Sequence, residues 1–408
     1  MAAAGALNQV GEKVVLIAGA GPVGLAAALV LADAGIRVKV FEAADGIAED
    51  PRASTFHPPT LEMFDRFGIT PELHEQGLVC PTWQIRWHPK GERAVFDLSV
   101  LQDDTRYPYR LQCEQWRLTR AAHERLKGNP LVEISFGAGV GGLEQDAEGV
   151  SVTVMREGGA TEQVKGDFLI GADGAHSFVR KAIGQSLEGD TYPETILITE
   201  TVFPFQDHLE GLSWTSYCWR DKGNFSLLRL PNLWRVGIYP LQGMSIEEQL
   251  SEDNVESMLQ SIWPKAGRYE VLARRPYRTH NRIVQRYRVG RVFLAGDAAH
   301  LNPPTGGMGM NGGLHDAFNL AGKLADVLRG RVPDSELDRY ERQRRPVAEA
   351  EILAQADRNR ARMREMDDER RRATMAELQA TASDRQRLHA FALRSSMIEG
   401  LRKAAAIA

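Results

Sequence analysis

Val14-Val15-Leu16-Ile17-Ala18-Gly19-Ala20-Gly21-Pro22-Val23-Gly24-Leu25, continued by an Ala- and Leu-rich stretch to Ala34 and then by Arg37-Val38-Lys39-Val40-Phe41-Glu42, decides the fold. Val14 to Ala18 is a continuous apolar run with the length and branching of a buried strand. Leu25 to Ala34 suits a buried helix, and Arg37 to Phe41 is β-branched again. Strand, tight turn, helix and strand form a βαβ unit whose turn carries Gly19, Gly21 and Gly24 in the spacing GxGxxG. Gly19 allows the sharp turn, Gly21 lets a pyrophosphate approach the backbone at the positive end of the helix, and Gly24 lets helix and strand close up. Glu42, 18 residues beyond Gly24, ends the second strand, where its carboxylate can accept hydrogen bonds from an adenosine ribose.

The spacing alone is weak, because Gly137, Gly139 and Gly142 match it, and so do Gly307, Gly309 and Gly312. The first of these leads into a polar turn and a strand with no helix to aim at a phosphate, and reads as a hairpin loop. The second belongs to a glycine-rich loop over 302–313, with a helix predicted over Leu314 to Leu328 and a stop at Gly330. Only one complete nucleotide unit exists. An enzyme of this sequence that used two dinucleotides would hold the second without a Rossmann lobe of its own.

The 408 residues can bury a large core, as two or three domains or as one enzyme of interleaved lobes. Net charge is −4 with both signs scattered, which excludes the basic field that gathers nucleic acid or an anionic membrane. Cys80, Cys113 and Cys218 form no CxxC pair and suit reduced thiols. Met1 to Lys13 has no basic n-region, and no uncharged apolar stretch of about 18 residues occurs, so a cytoplasmic protein without a membrane partner is expected. The ten histidines show no HxH or HExxH arrangement, so no metal is expected, and no GxSxG elbow occurs.

Elsewhere the pattern predicts helices over 57–67 and Trp116 to Leu126, and sheet and loop over 83–110. Leu131 to Phe136 and Val150 to Met155 read as strands of a meander, and Phe168 to Gly171 as a buried strand. Residues 190–275 are aromatic and β-rich, with strands at Phe225 to Leu230 and Trp234 to Tyr239 and an amphipathic stretch near 245–262. Arg291 to Ala295 returns to a buried strand, and from about 335 the chain is helical and rich in Arg and Glu.

Two further stretches accompany the opening turn: Gly171-Ala172-Asp173-Gly174-Ala175-His176-Ser177-Phe178-Val179-Arg180 and Gly296-Asp297-Ala298-Ala299-His300. In order and spacing the three resemble the fingerprints of the class A flavoprotein monooxygenases, the family of para-hydroxybenzoate hydroxylase, over about Val14 to Arg345. The resemblance implies an α/β fold: a Rossmann-type FAD-binding domain interleaved with a β-sheet substrate domain, plus a helical C-terminal segment. It assigns 1–80, 111–189 and 276–335 to FAD binding, 81–110 and 190–275 to the substrate domain, and 336–408 to the helical segment. FAD would be the bound cofactor, with NADH or NADPH a transient reductant. The activity implied is hydroxylation of a small aromatic or N-heteroaromatic, phenol-like substrate by dioxygen through a C4a-hydroperoxyflavin.

The same resemblance distributes roles. Gly19, Gly21, Gly24 and Glu42 would hold the adenosine diphosphate half, with Arg52 reaching the dinucleotide and Gln115 contacting the flavin. Asp173 and Arg180 would serve the FAD and NAD(P)H pyrophosphates, and Asp297 the ribityl chain. Gly309, Met310 and Asn311 would lie against the redox ring, where a helix N-terminus stabilises its negative charge, and Pro303 would set a carbonyl against it. As bare residues, Asp297 could equally cap a helix, Asp173 and Arg180 could be a turn and a surface cation, Arg52 an idle exposed cation, and Gln115 a helix cap.

For the substrate the β-rich lobe offers Tyr217, Trp219, Arg229 and Arg235, either as core or as pocket, and the resemblance implies that one of the two arginines grips a carboxylate. The residues around Arg229 and Arg235 depart from the para-hydroxybenzoate enzyme, and the sequence identifies no base for a phenolic proton. A monomer or homodimer is expected, with the charged tail packing on the body or on a second subunit. Rival readings are an FAD-dependent oxidase, dehydrogenase or halogenase on the same fold, although Trp214 to Trp219 lacks the halogenase pattern, and a non-catalytic FAD-binding protein.

Overall fold

Val14–Ala18 occupies an inner position in a six-stranded sheet, flanked by Arg37–Phe41 on one side and Phe168–Gly171 on the other. The computed structural model describes residues 13–49, 53–221, 223–239 and 244–408. Val132–Ser135 extends the sheet beyond Arg37–Phe41, Val292–Leu294 lies beyond Phe168–Gly171, and all these strands are parallel; Arg288–Val289 closes the edge antiparallel. The chain therefore leaves Val14–Ala18 to one side and returns on the other, which opens a crevice at the carboxyl ends of the strands. Helix Pro22–Asp33 is buried without a break from Gly24 to Ala32. Helices Gln115–Leu126 and Met308–Leu328 both pack on it, so an apolar residue at every position is what its surroundings demand.

A second, eight-stranded sheet runs from His300–Leu301 through Val271–Ile283, Glu188–Thr201, Leu233–Ile238, Phe225–Leu230, Thr215–Trp219 and Thr82–Trp87 to Arg93–Asp97. Side-chain alternation gives it two covered faces. Phe225, Leu227, Trp234 and Val236 pack with Val255, Leu259 and Ile262 of helix Glu252–Ile262. Trp83, Ile85, Trp87, Tyr217 and Trp219 face the opposite way and pack on Met363, Met375, Leu378 and Leu388. These last belong to the helices Ala354–Arg364, Asp368–Ser383 and Arg385–Ser395, so the charged C-terminal segment packs on the body of its own chain.

The structure departs from the sequence reading in four places. Leu131 to Phe136 supplies a strand of the parallel sheet rather than of the meander. The meander is Ala138–Gln145, Val150–Arg156 and Thr161–Gly166, so Gly139 and Gly142 lie in a strand rather than a hairpin loop. There a Cβ on Gly142 would stand 2.5 Å from Thr153 Oγ1 across the pair. The amphipathic stretch near 245–262 is two helices, Ile246–Leu250 and Glu252–Ile262, each started by a serine cap. The late helix begins at Met308, so Gly309, Met310 and Asn311 are helical rather than loop.

Candidate functional site

Parallel pairing sets the ends of four strands side by side: Ala18 is in register with Phe41 and with Gly171, and Gly171 with Leu294. Gly19, Glu42, Asp173 and Asp297 follow these ends and line one edge of the sheet. Gly19 has φ +102°, and a Cβ there would sit 2.4 Å from the Ala172 carbonyl oxygen. A Cβ on Gly24 would be 1.9 Å from the Gly19 oxygen, so only glycine lets this helix start against this strand. At Gly21 a Cβ would meet nothing within 4 Å. The backbone there faces open space at a helix N-terminus, which is the opening a pyrophosphate needs. Glu42 shapes the turn, accepting from the Ala20 N–H at 2.8 Å and the Ala44 N–H at 3.0 Å, and remains partly exposed. The Asp297 side chain is exposed in the 3-10 turn Gly296–Ala298 that follows its strand.

Asp173 accepts from the Ser177 hydroxyl and the Val179 N–H, fixing the second motif as a turn into helix Phe178–Ala182. Arg180 is buried, and its guanidinium donates to the Ala175 carbonyl at 2.8 Å and the Ala298 carbonyl at 3.2 Å. It thereby ties the second motif to the third. Gln115 is the first residue of helix Gln115–Leu126, and its N–H donates to the Ala53 carbonyl at 2.9 Å. Arg52 lies outside the described residues.

Buried side chains hold the glycine loop, the fully buried Asn311 foremost among them. Asn311 Oδ1 accepts from the His57 N–H at 3.0 Å and the Thr60 hydroxyl at 2.7 Å; Nδ2 donates to the carbonyls of Thr55 and Gly307 at 2.8 and 2.7 Å. Because the Thr60 proton is committed to Asn311, its oxygen accepts from His315 Nε2 at 3.0 Å. His57 Nε2 donates to the Gly306 carbonyl at 3.0 Å. Burial, reinforced by Arg344, drives the His315 pKa down to about 3, and burial together with Arg110 holds His57 well below its usual value. Both rings are neutral. Pro303 is buried, and its carbonyl accepts from Asn302 Nδ2 at 2.7 Å.

Against this loop lies a cavity with about 440 Å³ of space unfilled by atoms, part of it open to solvent. Thr305, Gly306 and Met308 of the loop form one wall, Trp83, Ile85 and Tyr217 of the second sheet another, and Asn359, Met363, Phe391 and Ser395 of the C-terminal helices a third. Of the four substrate candidates only Tyr217 lines it; its hydroxyl accepts from the Gly306 N–H at 3.0 Å. Burial raises the pKa of that hydroxyl, so it stays protonated. Trp219 lies behind the wall and donates from Nε1 to the Arg362 carbonyl at 2.9 Å. Arg235 is spent on Glu200, at 2.9 Å, and on Ser54. Arg229 is on the opposite face, its guanidinium 5.7 Å from the Trp234 ring centroid, because it alternates in phase with Phe225 and Leu227. Arg110, which the sequence reading passed over, lines the cavity.

A twofold-wound parallel sheet with an open glycine turn, joined to a second sheet that shares a cavity with the late glycine loop, defines a flavin-nucleotide enzyme frame. The model of the FAD binding domain family matches residues 12–355, and the chain belongs to that family. It is 34% identical over 395 residues to para-nitrophenol 4-monooxygenase of a Pseudomonas species, covering 95% of this chain and 96% of that one. It is 37% identical to 6-hydroxy-3-succinoylpyridine 3-monooxygenase HspB of Pseudomonas putida over 81% of this chain and 84% of that relative. The crystal structure of p-nitrophenol 4-monooxygenase PnpA from Pseudomonas putida superposes with a TM-score of 0.87 at 32% identity, covering 96% of this chain and 98% of that one. The chain is thus a FAD-dependent aromatic monooxygenase of the class its motifs resemble. Among the described residues no helix is long and apolar enough to cross a membrane.

Proposed function

We propose that this enzyme hydroxylates a small phenol-like or N-heteroaromatic ring, using dioxygen and NADH or NADPH, and that it does so in the cytoplasm as a monomer or homodimer. The observation that carries the reading is the cavity: one loop, Thr305 to Met308, is both its wall and the entry to the helix that begins beneath the crevice. When bound, FAD would relay two electrons from the nicotinamide to dioxygen and activate it, so that one oxygen atom of the dioxygen goes to the ring and the other leaves as water.

The chain's own residues have separable tasks in this reading. The open backbone at Gly21 and the start of helix Pro22–Asp33 hold the pyrophosphate, with Gly19 and Gly24 shaping the turn; Glu42 takes the adenosine ribose and Asp297 the ribityl hydroxyls. Asp173 and Arg180 brace the second motif where NAD(P)H would approach, and Gln115 would contact the flavin. Gly309, Met310 and Asn311 form the first helical turn, which would face the redox ring, and Pro303 shapes the loop before it. Trp83, Ile85, Met363 and Phe391 exclude water from the reacting ring. Tyr217 already accepts a hydrogen bond from the Gly306 N–H, so its own hydroxyl hydrogen is available to a substrate oxygen. Buried thiols at Cys80, Cys113 and Cys218 suit a reducing compartment.

Purified protein tests the reading. It should be yellow, and an aromatic substrate should stimulate NAD(P)H oxidation with stoichiometric oxygen uptake and a hydroxylated product. Oxidation that yields only hydrogen peroxide with every phenol and hydroxypyridine tried would make it an oxidase instead.

A further inference from the structure

We propose that Arg110 is the anion-recognising residue of the cavity, and that the substrate is held through a negatively charged oxygen on its ring, as an acidic phenol or a ring carboxylate. The proposal rests on the hydroxylase reading above and names the substrate class within it.

Arg110 begins the short strand Arg110–Gln112 and is 3% exposed. Its guanidinium lies over the Trp83 ring, 4.9 Å from the centroid, and Nη2 donates to the Ser395 carbonyl at 3.3 Å. Ser395 ends helix Arg385–Ser395, so that carbonyl is one of the helix's unsatisfied acceptors and carries the negative end of its dipole. Nε is buried and has no partner. Among the described residues no carboxylate pairs with this guanidinium. Its neighbours Tyr217 and Cys80 are both kept neutral by burial, the Cys80 thiol pushed up to about 12.

Arginine stays charged even in such a place, and a buried charge without a counter-charge is costly. The chain avoids that cost elsewhere. Arg235 and Arg344, equally buried, each meet a carboxylate at 2.7 to 2.9 Å. At Arg110 one partial dipole is supplied and the remainder is left to the cavity. A second guanidinium, Arg362, also lines the cavity, and no Asp or Glu does. Two cations, a neutral tyrosine hydroxyl and apolar walls suit a flat ring bearing one oxyanion. They suit a cationic or neutral ring poorly, because neither would neutralise Arg110.

The test is equilibrium binding to the oxidised holoenzyme, read by quenching of tryptophan fluorescence from the Trp83 wall so that no turnover is needed. The probes are para-nitrophenol, para-nitrobenzoate and the neutral ether para-nitroanisole. For the wild type, affinity for the phenol should rise with pH through the phenol's own ionisation and then level, while the ether binds more weakly and without pH dependence. Arg110→Met should weaken the preferred anion by roughly 10- to 100-fold, the loss of one buried charge-assisted contact, and change the ether by less than about twofold. Arg110→Lys should recover part of the loss. The anion that loses most, phenolate or carboxylate, identifies the source of the charge. Equal weakening of ether and anion by Arg110→Met overturns the proposal. So does a wild-type affinity for the phenol that ignores its ionisation, a measurement that stands even if the variants fail to fold. An enzyme that binds the anions as described yet forms no hydroxylated product would retain the clamp and lose the hydroxylase reading.

Discussion

Arg344 Nε donates to Asp316 Oδ1 at 2.7 Å, with both side chains sealed from solvent. The second oxygen of Asp316 accepts from His300 Nε2 at 2.8 Å and from the Gly296 N–H at 3.2 Å, and Arg344 Nη2 donates to the Gly312 carbonyl at 3.3 Å. One buried ion pair thus joins the turn that presents Asp297 to the helix behind the glycine loop. Removing one partner strands the other charge. Arg344→Met should lower stability by about 3–5 kcal/mol, seen as a reduced denaturant midpoint at neutral pH with an unchanged slope. The double variant Asp316→Leu, Arg344→Met should recover part of it. A midpoint unmoved by the single change would show that the pair contributes nothing.

Acid should unfold this protein through its histidines before its carboxylates. Burial, aided by neighbouring arginines, pulls His315 down to about 3 and His88 to about 4, and lowers His57 as well. An unfolded histidine takes its proton near about pH 6.5, so the unfolded state binds more protons below that point. Stability is complete above it and falls as pH drops toward the folded values, by up to about 1.4 kcal/mol per pH unit for each proton. For Asp316 burial works against ionisation, but Arg344 and His300 outweigh it and hold the carboxyl below its usual range. Its contribution is present above the unfolded carboxyl pKa of about 3.9 and is lost only as pH falls through the lower folded value. Chemical denaturation at a series of pH values should give a plateau above neutrality and a decline between about pH 6 and 4. A level midpoint across that interval would mean that these rings are not held neutral.

The arrangement of the opening turn along its edge of the sheet was legible because its determinants are local. Gly19, Gly21, Gly24 and Glu42 sit on consecutive elements, so their spacing in sequence fixes their spacing in space. The cavity half was not. Arg110 and Ser395 are 285 residues apart, and no periodicity announces their contact. Arg229 and Arg235 look equivalent in sequence, yet register puts one over Trp234 and the other against Glu200. The start of the late helix was misplaced for a different reason. Glycine at 309, 312 and 313 argues against helix, and the helix forms because three of the four Asn311 hydrogen bonds go to a segment some 250 residues earlier, at Thr55, His57 and Thr60.

Gly21 and Gly24 should fail in different ways. Alanine at 24 places a methyl 1.9 Å from the Gly19 carbonyl oxygen, so backbone must move; a loss of about 2–4 kcal/mol is expected. Alanine at 21 meets no protein atom within 4 Å and should leave the melting temperature unchanged. Its methyl nevertheless stands where the pyrophosphate would approach. Flavin absorbance per protein should fall at least tenfold, and a Gly21→Ala protein that keeps its flavin would move the cofactor off this turn.

Asp297 is exposed in the 3-10 turn Gly296–Ala298 that follows Val292–Leu294, so Asp297→Ala should still fold, with a stability loss of at most about 1 kcal/mol. Its assigned task is to accept from ribityl hydroxyls, charge-assisted bonds of about 1.5–3 kcal/mol each. Flavin affinity in apoprotein reconstitution should weaken by one to two orders of magnitude. Full flavin content in the purified variant would refute the role.

Arg229 provides the sharpest check on which face of the second sheet is the reactive one. The family resemblance makes it a candidate carboxylate clamp. In the structure it points away from the cavity, bonded to the Pro231 carbonyl at 3.3 Å and lying over Trp234. Arg229→Ala removes a half-buried cation–aromatic contact of about 0.5–2 kcal/mol and nothing from the cavity. Apparent KM should therefore stay within about twofold for carboxylated and neutral substrates alike, a change that size being all that the loss of such a distant contact can transmit. A rise confined to carboxylated substrates would place Arg229 in the site, reverse the assignment of the two faces and leave Arg110 without its function.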